Sequence, residues 1–115
     1  MSIPQDIEQS IAQINQELEI IEQDTTEGIE IVRGLLSTFP DNIALTGYFA
    51  RFSNYVLFID ASRRVLESVE ETVGADDVPE ELVQEARENL SSLFGKVIEE
   101  RIRVSSYKTR LENLT

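Results

Sequence analysis

Cysteine, histidine and tryptophan are absent from this chain of 115 residues. Without cysteine, neither a disulfide framework nor a cysteine-based metal or redox site can form. Without histidine, the usual general base, the Ser-His and Cys-His nucleophile systems and the Glu-x-x-His ligand pairs of di-iron bundles are also excluded. These absences predict a protein that is not an enzyme and that uses no cofactor.

Motifs that bind phosphate or calcium are missing as well, since the chain has no Walker sequence, Gly-rich phosphate loop or EF-hand loop. Carboxylates one helical turn apart could bridge a metal ion, and three such pairs occur: Glu27 with Glu30, Glu67 with Glu70, and Glu85 with Glu88. In a chain with 22 acidic residues such pairs arise by chance. We therefore expect no metal site and keep a metal-dependent enzyme only as a reserve hypothesis.

Long apolar runs are lacking too. Nowhere do 18 apolar residues follow one another, so we expect no membrane span. The opening MSIPQDIEQ has neither a basic segment nor an apolar run, so we expect no secretory signal. Together with the absence of cysteine, these features favour a cytoplasmic protein.

Basic residues are scarce, with 10 against 22 acidic residues and a net charge of −12. The charge is uneven: residues 1–50 sum to −8, residues 51–75 to −1, residues 76–95 to −5 and residues 96–115 to +2. An acidic chain is repelled by phosphate backbones and anionic lipid, so we expect no direct contact with nucleic acid or membrane. A basic protein partner, or one held without electrostatic attraction, is the better expectation.

Three long stretches, in contrast, show a strong helical pattern in their apolar residues. The first alternates spacings of four and three through Ile7, Ile11, Ile14, Leu18, Ile21, Thr25, Gly28, Val32, Leu35 and Phe39. The third stretch, from Val83 to Leu114, keeps the same rule and is broken only by Glu100. The second, from Leu45 to Val73, has an apolar arc wide enough for two neighbouring helices.

Stop and start signals divide these stretches. Ser2 and Gln5 around Pro4 suit a capping box, and the FPDN run at 39–42 ends the first helix. Gly74 suits the C′ position after the second helix. The prediction is an all-α fold: a long antiparallel, up-down-up three-helix bundle with coiled-coil-like heptad packing. It forms one domain over 1–115, with helices at about 3–38, 42–73 and 78–113.

Five of the eight aromatic rings lie within TGYFARFSNYVLFID, residues 46–60. They could form a membrane face, a ligand-stacking platform or part of a core. Because the connections are short, facing positions on the first and second helices have numbers that sum to about 81, and those on the second and third sum to about 152. This rule sets Gly28, Phe52 and Glu100 at one level. We predict that Phe52 is core and fills the space left by the glycine.

Two arginines lie in or beside the apolar arc of the second helix. Arg51 is level with Glu100, and Arg63 is close to acids of both neighbouring helices. We predict that Arg51 pairs with Glu100 and Arg63 with a neighbouring acid, and that these ion pairs fix the register of three similar helices. The alternative is a buried switch or an anion site.

Some apolar residues lie outside the rows through which the three helices are predicted to pack. Phe94, Ile98 and Ile102 form a second stripe on the third helix, while Phe58 and Val65 flank the seam of the second. We predict that these five residues line one outer groove between the two helices and form an interface. If the helices are tilted, the groove belongs to the ordinary core instead. Otherwise a helix of a second copy or of another protein covers it.

The sequence therefore favours a non-enzymatic protein–protein interaction module, such as a regulator, adaptor or assembly factor, that forms a homodimer or binds another, basic, protein. An alternative is an acidic inhibitor that imitates nucleic acid and blocks a DNA- or RNA-binding protein. Its carboxylate ridge would follow the first helix: Asp6, Glu8, Glu17, Glu19, Glu22, Asp24, Glu27 and Glu30. No family resemblance emerges from these patterns.

Overall fold

Three α-helices account for most of the chain in the computed structural model, which describes residues 3–114: α1 (Gln5–Thr38), α2 (Ile43–Val73) and α3 (Glu80–Glu112). They pack side by side into a bundle that measures 59 × 18 × 17 Å between Cα extremes. The predicted all-α three-helix fold is confirmed. Each helix end lies within two residues of its predicted position, and the helices run unbroken through Gly28, Gly47 and Gly95.

The helix ends differ in detail from the sequence signals. Ser2 of the predicted capping box lies outside the described residues; α1 begins directly after Pro4. At the start of α2, the Asn42 side chain accepts a hydrogen bond from the Leu45 N–H at 3.0 Å, as an N-cap should. Gly74 follows α2 with φ −83°, so it does not adopt the left-handed conformation that glycine favours. In the connection to α3 that conformation is found at Asp77, with φ 56°.

Burial follows the predicted spacings of three and four. In α1 every predicted position from Ile7 to Val32 is buried, whereas Phe39 at the helix end is 55% exposed. α2 contributes the fully buried Phe52, together with Ser62, a small polar residue that the apolar pattern did not reveal. The buried side chains of the three helices form one continuous cluster.

The close contact between Gly28 and Phe52 explains the small residue in the α1 seam. A Cβ atom built on Gly28 would lie 2.5 Å from the ring Cζ of Phe52, much closer than real Cβ contacts. Since Phe52 has no exposed surface, the ring cannot retreat into solvent. The predicted packing of this ring in the core is confirmed.

α1 packs extensively against both other helices, whereas α2 and α3 share a much smaller interface. Contacts between α1 and α2 run in opposite senses along the chain, since Gly28 meets Phe52 and Glu22 meets Arg63. Contacts between α1 and α3 run in the same sense, from the Asp6–Arg87 pair to the pair of Lys108 with α1 acids. The side of the bundle formed by α2 and α3 is therefore its most open side.

Candidate functional site

A depression of about 370 Å³ lies between α2 and α3, near the basic end of α3. It combines three cationic side chains with three aromatic rings and is lined by Arg51, Asn54, Tyr55, Phe58, Lys96, Glu100, Arg103 and Tyr107. In a chain with net charge −12, a local cluster of positive charge stands out. We refer to this set of residues as the basic depression.

Two cations of the basic depression, Arg51 and Lys96, contact aromatic rings, whereas Arg103 forms ion pairs with Glu99 and Glu100. The Arg51 guanidinium lies 5.2 Å from the ring centre of Tyr107 and 5.5 Å from that of Tyr48, and the Lys96 ammonium lies 5.8 Å from that of Phe58. Arg110 extends the cluster, 5.9 Å from the Tyr107 ring. Within residues 3–114, Arg51, Lys96 and Arg110 form no ion pair. Cation–π contacts leave a positive charge open to a further anionic partner.

Tyr55 forms the floor of the basic depression and is 7% exposed. Burial raises the pKa of its hydroxyl above the ordinary value, and the negative charge of Glu100 raises it further. The phenol therefore stays protonated at neutral pH and is unsuited to act as a base. The depression has the chemistry of a binding surface, with positive charge above an aromatic floor.

The α2 side of the open face carries no charge over a long stretch beyond Arg51. Asn54 and Phe58 line the basic depression, and Ser68 and Thr72 line a second depression of about 250 Å³ toward the other end. Ala61 and Val65 lie between these pairs at helical spacing, and both are exposed. We call this row the uncharged flank: Asn54, Phe58, Ala61, Val65, Ser68 and Thr72. It extends about 27 Å along the helix.

The second depression has the opposite electrostatic character. Its α3 side includes Glu85 and Leu82, and the leucine is 42% exposed. Glu81 and Glu88 are exposed on the same part of α3. The open face is therefore acidic near the α2–α3 connection and basic at its far end. We use the term α2–α3 groove for the two depressions and the uncharged flank between them.

The structure separates the five residues that were predicted to line one groove. Phe58 and Val65 lie along the α2–α3 groove, but Ile102 lines a depression with Ile20 and Asp24 of α1. Phe94 and Ile98 belong to the same stripe as Ile102, and both lie about 160° around α3 from Lys96 and the basic depression. The predicted stripe was rotated to the wrong side of α3, because spacing along a helix does not reveal which neighbour each flank faces.

The predicted register residues also find different partners. Arg63 does reach α1, where it donates two hydrogen bonds to the Glu22 carboxylate at 2.9 and 3.2 Å, and these lower the pKa of that carboxyl. Glu100, however, pairs with Arg103 one turn away at 2.9 Å. Arg51 lies over tyrosine rings rather than on Glu100. The predicted Arg51–Glu100 ion pair is therefore replaced by a local pair and a cation–π contact.

Ion pairs between α1 and α3 were not anticipated. Arg87 contacts Asp6 at 2.7 Å, and Arg101 contacts Glu17 at 2.8 Å. Lys108 bridges the carboxylates of Asp24 and Glu27 in α1. The sequence signal for these pairs is the set of acids on the first helix and bases on the third, but levels set by the two short connections do not relate α1 directly to α3.

Among the described residues, no group of three or more acidic side chains is arranged to hold a metal ion. None of the three helices combines the length and the apolar character that a membrane crossing requires. No protein-family model, curated protein or solved structure matches this chain. The surface chemistry of the bundle is thus the only basis for a functional proposal.

Proposed function

We propose that the protein is a non-enzymatic protein–protein interaction module that binds a partner chain along the α2–α3 groove. The observation that carries this proposal is the uncharged flank of α2 beside Arg51, Lys96 and Arg110, cations that have no ion-pair partner within residues 3–114. Removing water from a flank without charges costs little free energy, and the depressions at either end can hold side chains of a partner. A regulator, adaptor or assembly factor would use such a surface.

The nucleic-acid mimic is the weaker candidate because its carboxylate ridge is largely neutralised. Five of the eight acids on α1 form ion pairs with α2 or α3: Asp6, Glu17, Glu22, Asp24 and Glu27. The remaining Glu8, Glu19 and Glu30 follow one another at intervals of about 16 Å along the helix. Double-stranded DNA carries one charge per about 1.7 Å of axis. The spacing on α1 is far wider, so we do not adopt the mimic as the proposed function.

Site-specific photo-cross-linking tests the proposed surface. Phe58→p-benzoylphenylalanine places the reactive group in the α2–α3 groove, since it keeps the original phenyl ring and extends it by a benzoyl group. Glu19→p-benzoylphenylalanine serves as the matched control, because Glu19 is exposed on α1 away from the groove. Both variants are irradiated in the producing cell, purified under denaturing conditions and analysed by mass spectrometry.

We expect a discrete cross-linked protein from position 58 and none from position 19. The cross-linked mass identifies the partner as either a second copy of this chain or a different protein. Equal products from both positions, or no product from position 58, would overturn the proposal.

A further inference from the structure

We propose that the partner in the α2–α3 groove is a second copy of this chain, related by a two-fold axis perpendicular to the bundle so that the two copies run antiparallel. This inference rests on the proposed function and names the occupant of the same surface. The charge pattern of the groove, the positions of opposite charges along it and its size support this occupant.

The charge pattern is self-complementary. Arg51, Lys96, Arg103 and Arg110 cluster at one end of the α2–α3 groove. Glu81, Glu85 and Glu88 lie toward the other end of α3, and residues 76–95 as a whole carry −5 against +2 for residues 96–115. A parallel pairing of two such faces would place like charges together, which is costly. An antiparallel pairing places each basic end against an acidic end.

The charges also lie at matching distances from the centre of the groove. Phe58 and Lys96 face each other across the basic depression, which sets the level of α2 against α3. A two-fold axis at Ala61, near the middle of the uncharged flank, is then level with Leu93 on α3. With a rise of 1.5 Å per residue, Arg103 lies about 15 Å on one side of the axis and Glu85 about 12 Å on the other. The axis therefore brings Arg103 close to Glu85 of the second copy.

Arg51 and Glu81 match in level only, because this axis sets α2 against α2 and α3 against α3 of the second copy, so the two charges would attract across the width of the groove. Arg51 lies about 15 Å from the axis along α2, and Glu81 lies about 18 Å from it along α3 on the opposite side. Phe58 and Val65 lie on opposite sides of the axis at similar distances. Phe58 of each copy would therefore contact Val65 of the other copy. Isologous interfaces of two-fold dimers have this reciprocal character. The α2 side of the centre would be uncharged, Lys96 of α3 would lie about 4.5 Å from the axis, and the two ends would be held by opposite charges.

The open side of the bundle, which contains the groove, is large enough for a stable dimer. One side of a bundle with Cα extents of 59 × 18 Å presents about 1,000 Å² in projection, and a standard interface requires about 800 Å² from each partner. The net charge of −12 disfavours nucleic acid as the occupant of the groove. It also repels a second copy at long range. At physiological ionic strength this repulsion is screened beyond about 8 Å, whereas the close pairs of the interface persist.

Charge reversal in two complementary variants tests the arrangement. Glu81→Arg with Glu85→Arg makes both ends of the groove basic, and Arg51→Glu with Arg103→Glu makes both ends acidic. We expect the wild type to be dimeric by light scattering at about 0.15 M salt, and each double variant alone to dimerise more than about tenfold more weakly. Mixed in equal amounts, the two variants are expected to form a heterodimer, because every end contact becomes attractive again.

Glu8→Arg with Glu19→Arg is the matched control, since it reverses two exposed acids outside the groove and should leave the dimer intact. Circular dichroism of every variant verifies that the helices are retained. A monomeric wild type, a control that dissociates equally or a mixture that stays monomeric would overturn the two-fold arrangement. A different protein captured at position 58 would then still support the proposed function.

A second measurement does not depend on charge. The chain contains no cysteine, so Ala61→Cys introduces a single thiol at the predicted axis. Val56→Cys places the control thiol about 140° around α2 from position 61, at a residue that is 50% exposed. A short bismaleimide should link two copies through position 61 and not through position 56. Equal linking at both positions, or none at position 61, would contradict the two-fold arrangement.

Discussion

At the scale of single residues, the packing of Phe52 against Gly28 shows how far sequence reasoning reaches. Matching heights on two helices identified the pair, since a missing side chain on one seam and a large ring on the next occupy one level. Ser62 escaped the same reasoning: it is 3% exposed, but an apolar pattern gives no weight to a small polar residue. The sequence shows that a glycine and a phenylalanine can fill one space together, but only the packed structure shows that the Ser62 hydroxyl fits in the core.

A side chain at position 28 would meet the ring of Phe52. Gly28→Ala should lower the free energy of unfolding by about 1–3 kcal/mol, because the new methyl group overlaps the fixed ring of Phe52. This loss is expected although alanine is the better helix former by about 1 kcal/mol. Urea unfolding followed by circular dichroism measures the difference.

Gly34→Ala and Gly95→Ala are the matched controls for that substitution. A Cβ atom at either position meets nothing within 4 Å, so only the gain in helix propensity should remain. Both controls should therefore be neutral or stabilising by up to about 1 kcal/mol. If Gly28→Ala stabilised the protein as these two do, the close contact with Phe52 would be wrong.

At the scale of helices, sequence pattern predicted which residues each helix buries but not how the helices surround one another. The apolar spacing determined the seams, because burial favours residues that recur on one face. This apolar spacing is the same whether the three helices follow one another clockwise or anticlockwise around the bundle axis. That is why Phe94, Ile98 and Ile102 were placed on the wrong side of α3, and why the ion pairs between α1 and α3 were missed.

The ion pairs that α1 forms with both neighbouring helices should make the stability of the protein sensitive to acid. Hydrogen bonds from Arg63 lower the pKa of Glu22 in the folded protein, and Lys108 and Arg87 do the same for Glu27 and Asp6. A carboxyl whose pKa is lower when folded stabilises the protein above its ordinary pKa, and this contribution disappears as the pH falls through the folded value. The stabilisation from the Arg63 pair should therefore be present at neutral pH and lost as the pH falls below the ordinary pKa of a glutamate.

Comparison with Arg63→Met isolates this effect from the general relief of charge repulsion in acid. The melting temperature of the wild type should exceed that of the variant at about pH 6–7, and the difference should shrink toward zero as the pH falls below the ordinary glutamate pKa of about 4.3. Since both partners are substantially exposed, the difference should be small. A gap between the two proteins that stays constant, or widens, in acid would show that the ion pair does not contribute as inferred.

At the scale of the whole molecule, the uneven surface is the main clue to function. α1 is covered on two sides by its neighbours and neutralises much of its acid there, whereas α2 and α3 leave a face on which charge is separated by sign. Sequence composition revealed the acidic and basic segments of α3, but not that the bases gather over tyrosine and phenylalanine rings in a groove. That arrangement required the relative rotation of α2 and α3, which no periodicity specifies.

If the groove is a dimer interface, stability must depend on concentration. Folding and association are then linked, so a hundredfold rise in protein concentration should raise the melting temperature of the wild type by about 5 °C. Phe58→Asp should abolish this dependence, because it places a charge beside the two-fold axis. Val56→Asp, about 160° around the same helix from Phe58, should preserve it.

Phe52→Ala separates loss of association from loss of the core. Removing this fully buried ring should lower the free energy of unfolding by about 3–5 kcal/mol at every protein concentration. Phe58→Ala should lower the free energy of unfolding of the dilute monomer by much less. A Phe58→Ala variant as unstable as Phe52→Ala at high dilution would assign Phe58 to the monomer core. A wild-type melting temperature independent of concentration would remove the second copy from the groove. In either case the charge separation on α2 and α3 would need a different occupant or a purely structural cause.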